Sequence, residues 1–148
     1  MTILTNQTDI DAITEKLQAL IGNIAGIRSS TEDPPDSLGS LPAVFSYFSG
    51  GEYITGNFGV AESHHEVTTE VHFSKNSIPD AIEESKRLIK LIPQAIASKP
   101  TLDGLCNGFE KITYQFVQAR STDTTYRMFF TIVNLKLYPY GVKDNPTF

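Results

Sequence analysis

The apolar residues of this chain fall into two helical stripes and several stretches of strand alternation. Over residues 9–21, Ile10, Ile13, Leu17, Leu20 and Ile21 recur at steps of three and four. That spacing gathers side chains onto one stripe of an amphipathic helix. Thr8 or Asp9 is placed to cap its start by accepting a free N–H of the first turn. Gly22 is placed to end it in a left-handed conformation. The run 24–28 then reads as an edge strand. A second helix is predicted from about Ser77–Asp80, where Pro79 suits the first turn, to about Ala97. Its inner stripe is Ile82, Ser85, Leu88, Ile89, Ile92 and Ile96, and Glu83, Lys86, Arg87 and Lys90 mark the outer face. Pro93 lies inside it and predicts a kink or break near Leu91.

Residues 64–74 carry the clearest strand signal. Val67, Thr69, Val71 and Phe73 share one face, and Glu66, Thr68, Glu70 and His72 share the other. Such alternation means a strand with one buried face. Residues 42–48 form a shorter β candidate, broken by Ser49, Gly50 and Gly51. Residues 52–60, with Gly56 and Gly59, read as a second loop with at most a short strand or hairpin arm. Pro34 and Pro35 mark 29–41 as loop, so 29–63 as a whole is expected to be loop-rich. Two more β candidates, 109–119 and 126–137, are joined by the short polar link 120–125, which suits a hairpin. The end of the chain, 139–148, is expected to be an exposed tail. The economical solution is one α+β domain over 1–148. It would be a two-layer sandwich, with a mainly antiparallel sheet of four to five strands covered by two helices.

Composition supports a self-sufficient core. A chain of 148 residues can bury roughly 70% of its unfolded surface. Hydrophobic residues make up 40% and charged residues 20%, a globular mix rather than a disordered one. The net charge of −5 disfavours non-specific binding to DNA or to an anionic membrane surface. No apolar stretch approaches the about 20 residues that span a bilayer, and Met1 to Asp11 lacks the pattern of a signal peptide. One cysteine, Cys106, excludes an intramolecular disulfide and zinc sites of several cysteines. The chain is expected to be soluble and suited to a reducing compartment.

Groups that could carry chemistry fail on spacing. On an extended strand His64 and His72 share a face but lie roughly 26 Å apart, and His65 points the other way. Cys106, in Gly104-Leu105-Cys106-Asn107-Gly108, has no histidine near it in sequence to activate it. Glu32, Asp33 and Asp36 match no calcium loop. Gly50-Gly51 and Gly56 lack the Lys-Ser/Thr of a phosphate loop, and there is no Gly-x-Ser-x-Gly elbow. No basic, aromatic-interleaved patch points to nucleic acid. The expectation is therefore no catalytic residues, no metal and no cofactor.

The last strand is unusual in being apolar on both parities. Tyr126, Met128, Phe130 and Ile132 fall on one, and Phe129, Val133, Leu135 and Leu137 on the other. One face can pack on helices. The other needs cover from the 29–63 segment or from a second chain. Tyr126, Met128, Phe129, Phe130, Ile132, Val133 and Leu135 are therefore candidates for a subunit interface.

The order of these pieces resembles the tail terminator, or tail completion, proteins of tailed bacteriophages. The features that carry the likeness are the opening helix from Ile10-Asp11-Ala12-Ile13 to Leu20-Ile21, then Leu41-Pro42-Ala43-Val44-Phe45. After them come the strand from Glu66 to Phe73 and Ser77-Ile78-Pro79-Asp80-Ala81-Ile82. Leu88-Ile89, Ile92-Pro93-Gln94-Ala95-Ile96, Leu102-Asp103-Gly104-Leu105 and the final apolar strand complete it. The likeness covers most of the chain, with little matched over residues 31–63. It implies a structural virion protein assembled in the host cytoplasm, with no catalytic residues. Subunits of this kind form a homo-oligomeric, hexameric ring that caps the tail tube protein and joins the head-completion or connector protein. Another neck or tail-tube subunit, or a small cytosolic ligand-binding domain or enzyme, are the alternatives.

Overall fold

The structure, a computed structural model, describes residues 7–27, 29–32, 41–55, 60–74, 78–117 and 125–139. Helix α1 spans Gln7–Gly22 and helix α2 spans Ile78–Ala97. Strands β1 (Ser29–Glu32), β2 (Ala43–Thr55), β3 (Val60–Ser74), β4 (Gly108–Val117) and β5 (Thr125–Pro139) form one sheet in the order β1-β2-β3-β5-β4. β1 runs parallel to β2, and every other neighbouring pair is antiparallel. Both helices pack on one face of the sheet, which gives the expected two-layer α+β sandwich.

The core is the meeting of the helical stripes with one parity of the strands. Ile13, Leu17 and Ile21 of α1 and Ala81, Leu88, Ile92 and Ile96 of α2 are buried against Val44, Val67, Val71, Phe73, Tyr126, Met128, Phe130 and Ile132. The inner stripe of α2 runs through Ala81 rather than Ile82, which is 39% exposed. Pro93 does not break α2. It removes one helical hydrogen bond at a cost of ~3 kcal/mol. Ile92 and Ile96, fully buried on either side of it, each contribute about 1.5–3 kcal/mol, enough to hold the helix through it. On the buried face Ser46 and Thr69 share a hydrogen bond of 2.9 Å, and Gln18 Nε2 donates to Val44 O at 3.2 Å.

Several local expectations change. Thr8 and Asp9 lie inside α1 rather than at its cap. Gly22 is not left-handed; the chain leaves α1 through tight turns, with Ile24 N bonded to Ile21 O and Ile27 N to Ile24 O, and Gly26 takes the positive φ of 96°. Residues 24–27 are thus a turn, and the edge strand comes just after, as β1. The 29–63 segment is not mainly loop: it holds β1, all of β2 and the start of β3. Gly50 and Gly51 do not end β2 but lie within it at a β-bulge, where the register shifts between Phe48 and Gly50. A Cβ on Gly51 would stand 2.7 Å from His64 O, so glycine is what lets the two strands stay paired there. A matching bulge in β4 lies between Phe109 and Lys111. Asp33, Asp36, Gly56 and residues 140–148 of the expected tail lie outside the described residues.

Behind α2, Leu102 is fully buried and anchors a turn in which Leu102, Asp103 and Gly104 all have positive φ. Asp103 bonds Lys16 of α1 at 2.8 Å and Lys99 at 3.1 Å. These pairs are exposed and serve to orient the turn more than to stabilise it.

Candidate functional site

Of the seven interface candidates on β5, five are buried, four of them against the helices. Tyr126, Met128, Phe130 and Ile132 face the helices and are at most 8% exposed. Phe129, Val133 and Leu135 point to the opposite face. There Phe129 and Leu135 are half-buried and Val133 is 4% exposed. Among the described residues no helix lies on this second face, so its side chains form the candidate site.

The register sets the residues out in rows across β2, β3, β5 and β4. One row is Phe45–Glu70–Phe129–Gln115, and the next toward the Ser74 end of β3 is Ala43–His72–Arg127–Val117. Tyr47 Oη donates to Glu70 Oε2 at 2.6 Å, and His72 Nε2 lies 3.1 Å from Glu70 Oε1. The His72 ring stacks on Phe45 with centroids 5.2 Å apart, and Arg127 sits over the Phe129 ring at 5.7 Å. Burial pushes the Glu70 carboxyl up, but the hydrogen bonds from His72 and Tyr47 outweigh it and hold the group below its ordinary value. Burial, and next the bond to Glu70, push the Tyr47 phenol well above its ordinary value. This half of the face is a tied polar network under aromatic cover.

The other half is acidic. Its rows are Gly50–Glu66–Val133–Lys111 and Glu52–His64–Leu135–Gly108. His64 Nε2 lies 2.9 Å from Glu62 Oε2, and His64 Nδ1 meets Glu110 Oε2. Glu110 is the inserted residue of the β4 bulge, and it reaches His64 over Leu135. The hydrogen bond to Glu110 raises the His64 pKa; partial burial opposes that rise, and Glu62 adds to it. His64, Glu52, Glu66, Glu110 and Lys111, with Gly51 and Val133, line an open recess of about 300 Å³.

No family model matches this chain, and no characterised protein matches it in sequence. The site is therefore read on its own chemistry. It offers hydrogen-bonded carboxylates, two histidines, the Tyr47 phenol on Glu70 and the apolar side chains of β5. Cys106 is 5% exposed within the hydrophobic core. His65 is 3% exposed on the helix-side face, and there Asn134 Nδ2 donates to its carbonyl at 2.9 Å. His72, at 8% exposure, is likewise buried. Glu32 lies in β1, away from the recess in the sheet order. Among the described residues no group of three or more His, Cys, Asp or Glu side chains is arranged to hold a metal ion, and no helix is long and apolar enough to cross a membrane.

Reading the sequence alone missed Glu110 as a partner of His64, 46 residues away. A signal for its special position exists. Phe109 and the series Ile112, Tyr114, Phe116 differ in parity, which one extra residue between them explains.

Proposed function

We propose that the chain is a structural assembly subunit of the tail-terminator kind, one that associates with copies of itself into a ring capping a tail tube and presents a head-joining surface. The observation that carries this reading is the pair of half-buried apolar side chains Phe129 and Leu135, flanking Thr131 and the buried Val133, on the sheet face opposite the helices. A sheet packed on one side normally turns polar side chains to water on the other, and apolar residues kept there suit contact with another chain. The two sheet edges add support. β4 offers ten residues and β1 four, and among the described residues each pairs on one side only. Pairing of one edge with the other edge of the next subunit would be a head-to-tail contact, the kind that closes into a ring where the rotation between subunits allows it.

The test combines light scattering and negative-stain microscopy of the full chain with a tube-growth assay using tail tube subunits. Closed rings that arrest tube growth are the expected result, with Phe129→Ser weakening ring formation while leaving the fold intact. A monomer at every concentration that also fails to bind tubes would overturn the reading. Labelling at the tail-head junction separates a terminator from another neck or tube subunit.

A further inference from the structure

His64 has a carboxylate at each ring nitrogen, Glu62 at Nε2 and Glu110 at Nδ1. An ionised carboxylate only accepts hydrogen bonds, and a neutral imidazole donates from one nitrogen only. Holding both carboxylates at once therefore requires the doubly protonated ring. The two carboxylates are structurally unlike. Glu62 is on the same strand as His64, whereas Glu110 belongs to edge strand β4, with β5 between. Leu135 of β5 pairs with His64 on one side and Gly108 on the other, and Gly108 has no side chain to fill the row.

We propose that His64 is a proton-operated clasp: as the imidazolium it holds Glu62 and Glu110 together and ties the bulge of β4 to β3 across β5, and as the neutral ring it can donate to only one of the two carboxylates, so its hold on the bulge weakens. The groups around it are Glu52 from β2, Glu62 and Glu66 from β3, and Glu110 and Lys111 from β4. β5 contributes the uncharged Val133 and Leu135, and both helices lie on the other face. Four carboxylates against one ammonium favour the charged ring. The bond to Glu110 raises the folded-state pKa above that of the unfolded chain. The clasp is thus fully closed below the ordinary histidine pKa and lost as pH rises through the raised value. In stronger acid it opens again as the glutamates take up protons. The device belongs to the single subunit and does not rest on ring formation.

Nuclear magnetic resonance of the full chain tests it, by titrating the His64 ring and measuring amide exchange along β4. The expected result is a His64 titration above the ordinary histidine value. Protection of the Gly108–Ile112 amides, corrected for intrinsic exchange, should fall about two- to fivefold between about pH 5.5 and about pH 8.5, the weight of one partly exposed ion pair. Glu110→Gln should lower the His64 titration and abolish this pH dependence, and His64→Gln should abolish it independently. A His64 titration at or below the ordinary value, or an equal pH dependence in Glu110→Gln, would overturn the proposal. Because the ring resonance reads His64 directly, a chain that never forms rings still decides the question.

Discussion

Replacing Phe130 with alanine should separate the two faces of β5 in a single measurement. Phe130 is fully buried, pairs with Thr69 and Tyr114 in the sheet, and meets the Tyr114 ring at 6.0 Å. Truncating such a residue costs about 3–5 kcal/mol, because transfer free energy is lost and the surrounding helices cannot close the cavity. A domain of this size holds only about 5–15 kcal/mol in all. With an unfolding entropy of about 0.3 kcal/mol/K for 148 residues, the melting midpoint should drop by roughly 10–16 °C. The neighbouring Phe129→Ala removes a half-buried ring that contacts Arg127, and should cost about 1 kcal/mol. Urea titration followed by far-ultraviolet circular dichroism suits the chain, which has no tryptophan. A cost below about 1 kcal/mol for Phe130→Ala, or a larger cost for Phe129→Ala, would refute the assignment of faces.

Two further predictions concern a turn and a titrating network. Gly26→Ala places a side chain at φ 96° with its Cβ 2.5 Å from Arg87 Nη2; it should lower stability by about 1–3 kcal/mol, and adding Arg87→Ala should recover the steric part in a urea double-mutant cycle. Glu70 has a depressed folded-state pKa, so its carboxylate stabilises the fold above the unfolded carboxylate pKa and ceases to do so as pH falls through the folded value. Glu70→Gln should therefore flatten the acid limb of a stability-against-pH curve, and parallel acid limbs would sink the idea.

Both helices were legible in the sequence because their apolar stripes keep a three- and four-residue step, and β3 was legible from residue 64 on, where its alternation begins, but not over 60–63. Legibility failed where backbone pairing, not side-chain pattern, makes the structure. Ser29-Ser30-Thr31-Glu32 has no apolar alternation at all, yet it forms β1 by pairing with residues 43–46 of β2. Gly50-Gly51 looked like an end because glycine usually weakens a strand, but here it lets β2 pass close to β3. The two apolar parities of β5 were visible, but which one meets the helices depends on the register with Val67, Val71 and Phe73. Of the candidate site, the apolar side chains of β5 could be read from one segment. The acidic half could not, because Glu52, His64 and Glu110 come from three strands.

The two bulges share an address. On β2 the surplus residue, Ser49, sits on one side of the row through Glu66 and Val133, and on β4 Glu110 sits on the other side of that same row. Each strand is one residue longer than its ladder needs, and the excess turns into bend and twist. Elsewhere within these strands, losing a residue would flip everything beyond it to the wrong face. At positions 49 and 110 the loss would leave every ladder pair and every face unchanged; the curvature would go, and with it the Ser49 bond to Glu66 O or the Glu110 carboxylate on His64. The shape of this sheet can therefore be tuned at two positions without rewriting its core.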